Sequence, residues 1–119
     1  MNTKPHTDHN KDSSITLPSP DEIERASRFL RTLGDPTKLK IVCTLISGEI
    51  CAGGIAASLD MTKSAVSHQL RILREEGLIK ARRDGKHVIY SLDDEHVHEL
   101  LTMTLEHIHH THKKTEYEE

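Results

Sequence analysis

A chain of 119 residues with 34% hydrophobic and 3% aromatic residues supports one small domain with a thin core, which a partner subunit is expected to complete. No apolar run is long enough to span a bilayer and the first twenty residues lack the apolar segment of a signal peptide, so the expected location is cytoplasmic. The formal net charge of -3 conceals a basic stretch: between Lys63 and His87, seven Lys or Arg stand against Glu75, Glu76 and Asp84, the electrostatic footprint of a nucleic-acid-binding surface.

Residues 1–19 are polar and without hydrophobic periodicity and read as a disordered tail; a domain is expected over 20–112, with a short polar tail over 113–119. From Asp21, the apolar residues Ile23, Ala26, Phe29, Leu30 and Leu33 recur at helical spacing. Gly34 ends that helix, and Asp35-Pro36 starts another with an acidic N-cap and a proline in the first turn. The second helix, TKLKIVCTLI, offers Leu39, Ile41, Val42, Leu45 and Ile46 to the core, with Cys43 as a small core residue. The two cysteines, Cys43 and Cys51, are too few for a disulfide framework and are expected as thiols.

The stretch GEICAGGIAASLDMTKSAVSHQLRILREEGLIK divides into a short helix over about Cys51–Leu59, a turn at Asp60, Met61 and Thr62, and a longer helix from Lys63 to Glu76 capped by Gly77. Two helices joined by so tight a turn make a helix-turn-helix, whose second helix enters the DNA major groove. Val66, Leu70 and Leu73 form the inward stripe of that helix, leaving Lys63, Ser64, Ser67, His68, Gln69 and Arg71 for base edges and phosphates. Next, IKARRDGKHVIYSL places β-rich flanks around Asp84-Gly85, a dipeptide favoured in tight hairpins because it accepts φ > 0 at both central positions. A basic hairpin directly after a recognition helix is a wing, from which Arg82, Arg83, Lys86 and His87 reach the DNA backbone. The fold class expected is mainly α with a small β-hairpin.

Together, LGDPTKLKIV, the run SAVSHQLRILREEGLIKARRDGKHVIYSL and a histidine-bearing last helix resemble the ArsR/SmtB family of metal-sensing bacterial repressors, over about residues 21–112. The resemblance implies a homodimeric winged helix-turn-helix protein, dimeric through its terminal helices, that binds double-stranded operator DNA and leaves it when metal binds. Members sense metal at different places, so the ligands have to be argued separately.

HVHELLTMTLEHIHHTH, residues 96–112, carries six of the ten histidines. On a helix advancing about 100° and 1.5 Å per residue, His96 and His107 lie about 20° apart, and His110 falls about 40° to the other side of His96. They share a face, yet His96 and His107 are separated by roughly 16 Å along the axis, whereas a zinc–nitrogen bond is about 2 Å. One helix cannot close such a site, but two copies packed antiparallel can, giving a pair of symmetric sites across a twofold axis. His98, His109 and His112 repeat the same spacings about 200° away, so periodicity leaves two interleaved triplets open. Asp94, two residues before His96 at the helix start, adds a carboxylate to the first triplet, and His112 approaches the polar tail, where the helix is expected to fray. The resembled family supplies the remaining argument: Asp94, His96, His107 and His110 match the D-x-H-x10-H-x2-H motif of its C-terminal-helix zinc-sensing branch.

Three imidazoles and a carboxylate without sulfur suit tetrahedral Zn(II), with Co(II) as a mimic. Some relatives instead use thiolates from the helix before the recognition helix together with an N-terminal arm; here Cys51 stands alone, with Gly53 and Gly54 nearby and no cysteine in the tail. Two alternatives stay open: a cobalt or nickel sensor recruiting His98, His109, His112 or the tail residues His6 and His9, and a histidine-rich metal buffer for which the winged domain is only a scaffold. No nucleophile–base pair or phosphate-binding glycine loop suggests an enzyme.

Overall fold

The computed structural model describes residues 14–118, with side chains through Thr111. His6, His9 and the side chain of His112 therefore lie outside the described residues.

Helix α1, Pro20–Leu33, opens on a reciprocal cap: the Glu22 amide donates to Ser19 Oγ (3.1 Å) and the Ser19 amide to Glu22 Oε1 (2.9 Å). Helix α2, Pro36–Thr44, is capped by Asp35, whose carboxylate accepts the Lys38 amide at 3.0 Å. It ends two residues before the expected Ile46, yet Leu45 is buried and Ile46 still packs on the core.

Strand β1, Ile50–Cys51, runs into helix α3, Ala52–Leu59, which stops at Asp60 in the left-handed conformation. After the tight turn, the Thr62 hydroxyl accepts the Ala65 amide at 3.0 Å and starts helix α4, Lys63–Glu75. α3 and α4 form the expected helix-turn-helix, and Gly77, at φ +78°, turns the chain out of α4. Ile41, Val42, Ile55, Val66, Leu70, Leu73 and Leu78 are fully buried, so the core sits where α2, α3 and α4 meet the root of the hairpin.

Strands β2, Ile79–Asp84, and β3, His87–Leu92, pair antiparallel from Ile79↔Leu92 to Asp84↔His87. The hairpin is the expected wing, but its turn lies one residue later than the Asp84-Gly85 pair suggests. Asp84 closes the ladder, Gly85 and Lys86 are the two central residues, and only Gly85 has a positive φ, +66°. A single positive φ at the first central position is the II′ geometry rather than I′. Gly85→Val is therefore expected to cost about 1–2 kcal/mol of hairpin stability, because a β-branched residue is strained there. Thermal melting should register that loss together with weaker DNA binding, whereas Lys86→Ala should leave the melting temperature unchanged.

One feature of the sheet was not expected. β1 adds to the hairpin in the order β1-β3-β2, pairing Ile50 with Tyr90 and Cys51 with Ile89. The extra strand ties the start of α3 to the wing, so the helix-turn-helix and the hairpin are hydrogen-bonded parts of one unit.

Helix α5, Glu95–Glu118, packs through Val97 and Leu101 and then projects with Met103, Leu105 and Ile108 exposed. Its backbone stays helical past His112 instead of fraying there, consistent with a tail that contains neither glycine nor proline. No helix among the described residues is long and apolar enough to cross a membrane.

Candidate metal centre and nucleic-acid interface

Val66, Leu70 and Leu73 anchor α4, so its opposite face is left to solvent. Lys63, Ser64, Ser67, His68 and Arg71 are exposed there, and the Arg71 guanidinium donates to His68 Nδ1 at 3.4 Å, which holds the two side chains over the same turn. Gln69 differs from its neighbours: it is half-buried, and its Oε1 is buried without a hydrogen-bond partner among the described residues. A residue at i+3 from Val66 lies at the edge of the inward stripe, so Gln69 is less open to solvent than the five around it.

Lys63, Ser67 and Lys86 come together around a cavity of about 360 Å³ between the start of α4 and the wing, with Cys51, Gly53 and Tyr90 on its other walls. The cleft brings residues of the second helix of the helix-turn-helix and of the wing to one place. Side chains alternate along β2, which separates the two wing arginines. Arg83 opposes Val88 and shares the face of Tyr90, toward the cleft, whereas Arg82 lies on the other face with Lys80. There Arg82 is held by Glu49: Nη2 donates to Oε1 at 2.7 Å and Nε to Oε2 at 3.2 Å. The Arg82 guanidinium keeps the Glu49 carboxyl below its ordinary range. Any stability the pair adds is present above the ordinary carboxylate range and is lost as pH falls through the lowered value. Glu49 was missed in the sequence because its partner lies 33 residues away and only the strand register brings them together.

At the start of α5, Asp94 Oδ1 accepts the Val97 amide at 3.0 Å and Oδ2 lies 3.4 Å from His96 Nδ1. The Val97 amide and the neighbouring imidazole hold the Asp94 carboxyl below its usual range. His96 is 91% exposed. His107 and His110 are exposed further along the helix, with His107 Nε2 at 3.3 Å from the Thr111 hydroxyl. Thus the fold brings Asp94 and His96 together and leaves His107 and His110 apart from them. No group of three or more His, Cys, Asp or Glu among the described residues could hold a metal within one chain. In the second triplet, His109 is exposed, but His98 is half-buried and its Nε2 donates to the Ile46 carbonyl at 3.2 Å. Cys43 and Cys51 are free thiols, and burial pushes Cys43 up, away from the reactive thiolate.

Residues 35–81 match the sequence profile of bacterial regulatory proteins of the arsR family. The chain is 41% identical over 88 residues to a transcriptional repressor SmtB homolog of Synechocystis sp., covering 74% of this chain and 67% of that protein. It is also 41% identical over 83 residues to the HTH-type transcriptional regulator NmtR of Mycobacterium tuberculosis, covering 70% and 69%. The chain belongs to the arsR family of bacterial regulatory proteins.

Membership in the arsR family makes it a transcriptional regulator and not an enzyme. Among solved arsR-family structures, the homodimeric winged helix-turn-helix domain of Mb0332 from Mycobacterium bovis, described as a possible ArsR-family regulator, superposes with a TM-score of 0.70 at 26% identity, covering 81% of this chain and 95% of that one. The profile match ends within β2, so it takes in the helix-turn-helix and stops short of Asp94 and of α5 with its clustered histidines.

Proposed function

We propose that this chain is a metal-responsive transcriptional repressor. It binds operator DNA as an apo homodimer and is released by Zn(II) at two symmetric inter-subunit sites, controlling genes for zinc efflux or sequestration. The observation that carries the reading is the split ligand set of α5. Asp94 and His96 stand together at its start, while His107 and His110 share the stripe of His96 further along, with no third ligand beside them among the described residues. Antiparallel pairing of two copies supplies what each lacks. The exposed apolar residues Ile23 and Leu30 of α1 and Met103, Leu105 and Ile108 of α5 support such pairing, since they need cover that one chain does not provide.

The donor set fits the metal. Asp94 and His96 of one chain and His107 and His110 of the other would hold Zn(II) with three imidazoles and one carboxylate, and the ion would supply a cross-link between subunits rather than a reactive water. The choice of this stripe over His98, His109 and His112 is supported by His98, whose Nε2 is engaged inside its own subunit.

In the DNA-bound state, Lys63, Ser64, Ser67, His68 and Arg71 of each recognition helix face a major groove, with Arg83 and Lys86 of the wing on the backbone. Arg82 reaches phosphate once it leaves Glu49, and Gln69 supports the helix from its half-buried edge. Joining the two α5 helices favours a dimer whose recognition helices no longer match successive grooves. By linkage, DNA then weakens metal binding by the same factor that metal weakens DNA binding. Protons compete with metal for the imidazole nitrogens, so metal affinity falls as pH falls.

The test is fluorescence anisotropy on duplex DNA selected from a random pool by the metal-free protein. Specific binding should weaken steeply with salt and be lost with one Zn(II) per subunit, and Lys86→Ala should lower the salt slope by about one. A chain that selects no sequence with or without zinc is not a repressor, and the metal-buffering alternative would then stand.

A further inference from the structure

His98 lies in the first turns of α5, where its own amide donates to the Asp94 carbonyl at 3.3 Å, so it moves with the proposed ligands Asp94 and His96. Its side chain leaves the helix and donates from Nε2 to the carbonyl of Ile46, 52 residues earlier in the chain. That carbonyl lies just past the end of α2, where no next turn of helix supplies a donor. The segment it belongs to is short and leads directly to the DNA-binding half. Glu49 grips Arg82 of the wing, Ile50 and Cys51 pair with β3, and α3 begins at Ala52. Ile46, Glu49, Lys80, Asp94 and His98 all line one cavity of about 370 Å³ between this segment, the sheet and the start of α5.

A hydrogen bond of this kind weakens steeply with misalignment, so a shift of about 1 Å at the root of α5 suffices to break it. We propose that His98 is a positioning residue rather than a metal ligand: its hydrogen bond to the Ile46 carbonyl couples the α5 metal site to the DNA-binding half through residues 46–49. This rests on the metal-responsive reading above. The rest of α5 is anchored to its own subunit by Val97 and Leu101, apolar contacts that tolerate small sliding. The hydrogen bond to Ile46 is directional and is either made or lost.

Full-length His98→Ala, His98→Phe and His98→Gln variants test this. Phenylalanine keeps a ring of similar volume but no donor, whereas the glutamine amide places an N–H near the position of Nε2. Two readouts are needed: the absorption spectrum and stoichiometry of bound Co(II), and the ratio of operator affinities without and with Zn(II). In all three variants the Co(II) spectrum should match wild type. The affinity ratio should shrink about tenfold in the alanine and phenylalanine variants and return to within about threefold of wild type with glutamine. If alanine does not fold, the phenylalanine and glutamine pair still decides. A ratio unchanged by phenylalanine, or reduced equally by phenylalanine and glutamine, overturns the proposal. An altered Co(II) spectrum also overturns it, because His98 would then be a ligand. Wild-type protein whose operator affinity ignores Zn(II) overturns the functional reading itself, and that result is visible before any variant is made.

Discussion

Replacing His107 by alanine is expected to abolish zinc-induced release from DNA while leaving the operator affinity of the metal-free protein within about threefold of wild type. His107 is exposed on α5, outside both the recognition helix and the wing in sequence, so its removal costs no core packing. In the proposed site its loss leaves Asp94 and His96 of one chain and only His110 of the other, three protein ligands and an open position, so a single imidazole remains on that side of the cross-link. Coupling energies of this kind are typically about 1–3 kcal/mol, a change of roughly 5- to 150-fold in DNA affinity, so their disappearance is readily measured. His96→Ala should behave alike, because it removes a ligand from the other end of each site. The comparison variant is His109→Ala, which belongs to the second triplet and should change neither zinc binding nor release. Should His109→Ala abolish zinc-induced release while His107→Ala retains it, the wrong stripe has been chosen. His98 is a poorer discriminator, because its tie to Ile46 predicts lost coupling with metal binding intact.

The elements that determine the fold were legible because their signals are local. Helical spacing of apolar residues, the Asp35-Pro36 start, the Asp60–Thr62 turn and the glycine after α4 each act over a few residues. The S-x-x-E of Ser19–Glu22 was equally readable and marks the start of α1 more sharply than the first apolar residue does. What escaped the sequence depends on register. β1 is two residues long, carries no period, and takes its hydrogen bonds from a strand about forty residues later in the chain. Asp-Gly is compatible with a turn centred on the Asp84–Gly85 bond or on the Gly85–Lys86 bond, and the pairing of Asp84 with His87 selects the second. The same register places Arg82 and Arg83 on opposite faces, a separation invisible to a count of basic residues. On α5 the spacing narrowed the ligands to two triplets. Beyond Asp94 and the motif, the inward turn of His98 separates a member of one from the other, and that depends on where the end of α2 lies in three dimensions.

Met103→Glu is expected to convert the dimer to monomer and, with it, to remove both operator binding and high-affinity zinc binding. The position follows from the proposed pairing. If His96 of one chain meets His107 and His110 of the other in an antiparallel arrangement, the twofold axis passes the helix midway between them, between about residues 101 and 103. Met103 is seven residues from His96, about 20° from it around the helix and on the same stripe, so it faces its own copy across the axis. In the single chain it is 65% exposed, and with Leu105 and Ile108 it leaves a run of exposed large apolar side chains on α5, the kind of surface that marks an interface. Burying a methionine contributes about 1.5–3 kcal/mol, and the twofold counts it twice, so losing both copies raises the dissociation constant at least about 100-fold before charge is considered. Glutamate adds two carboxylates facing each other in a desolvated seam, where like charges repel far more strongly than in water. Met103→Leu keeps volume and apolarity and should stay dimeric with normal zinc response. Sedimentation equilibrium on both variants reads the difference directly. A Met103→Glu protein that remains dimeric and still releases DNA with zinc would show that the two α5 helices do not cross at this residue, and the inter-subunit ligand assignment would have to be redrawn around a different axis.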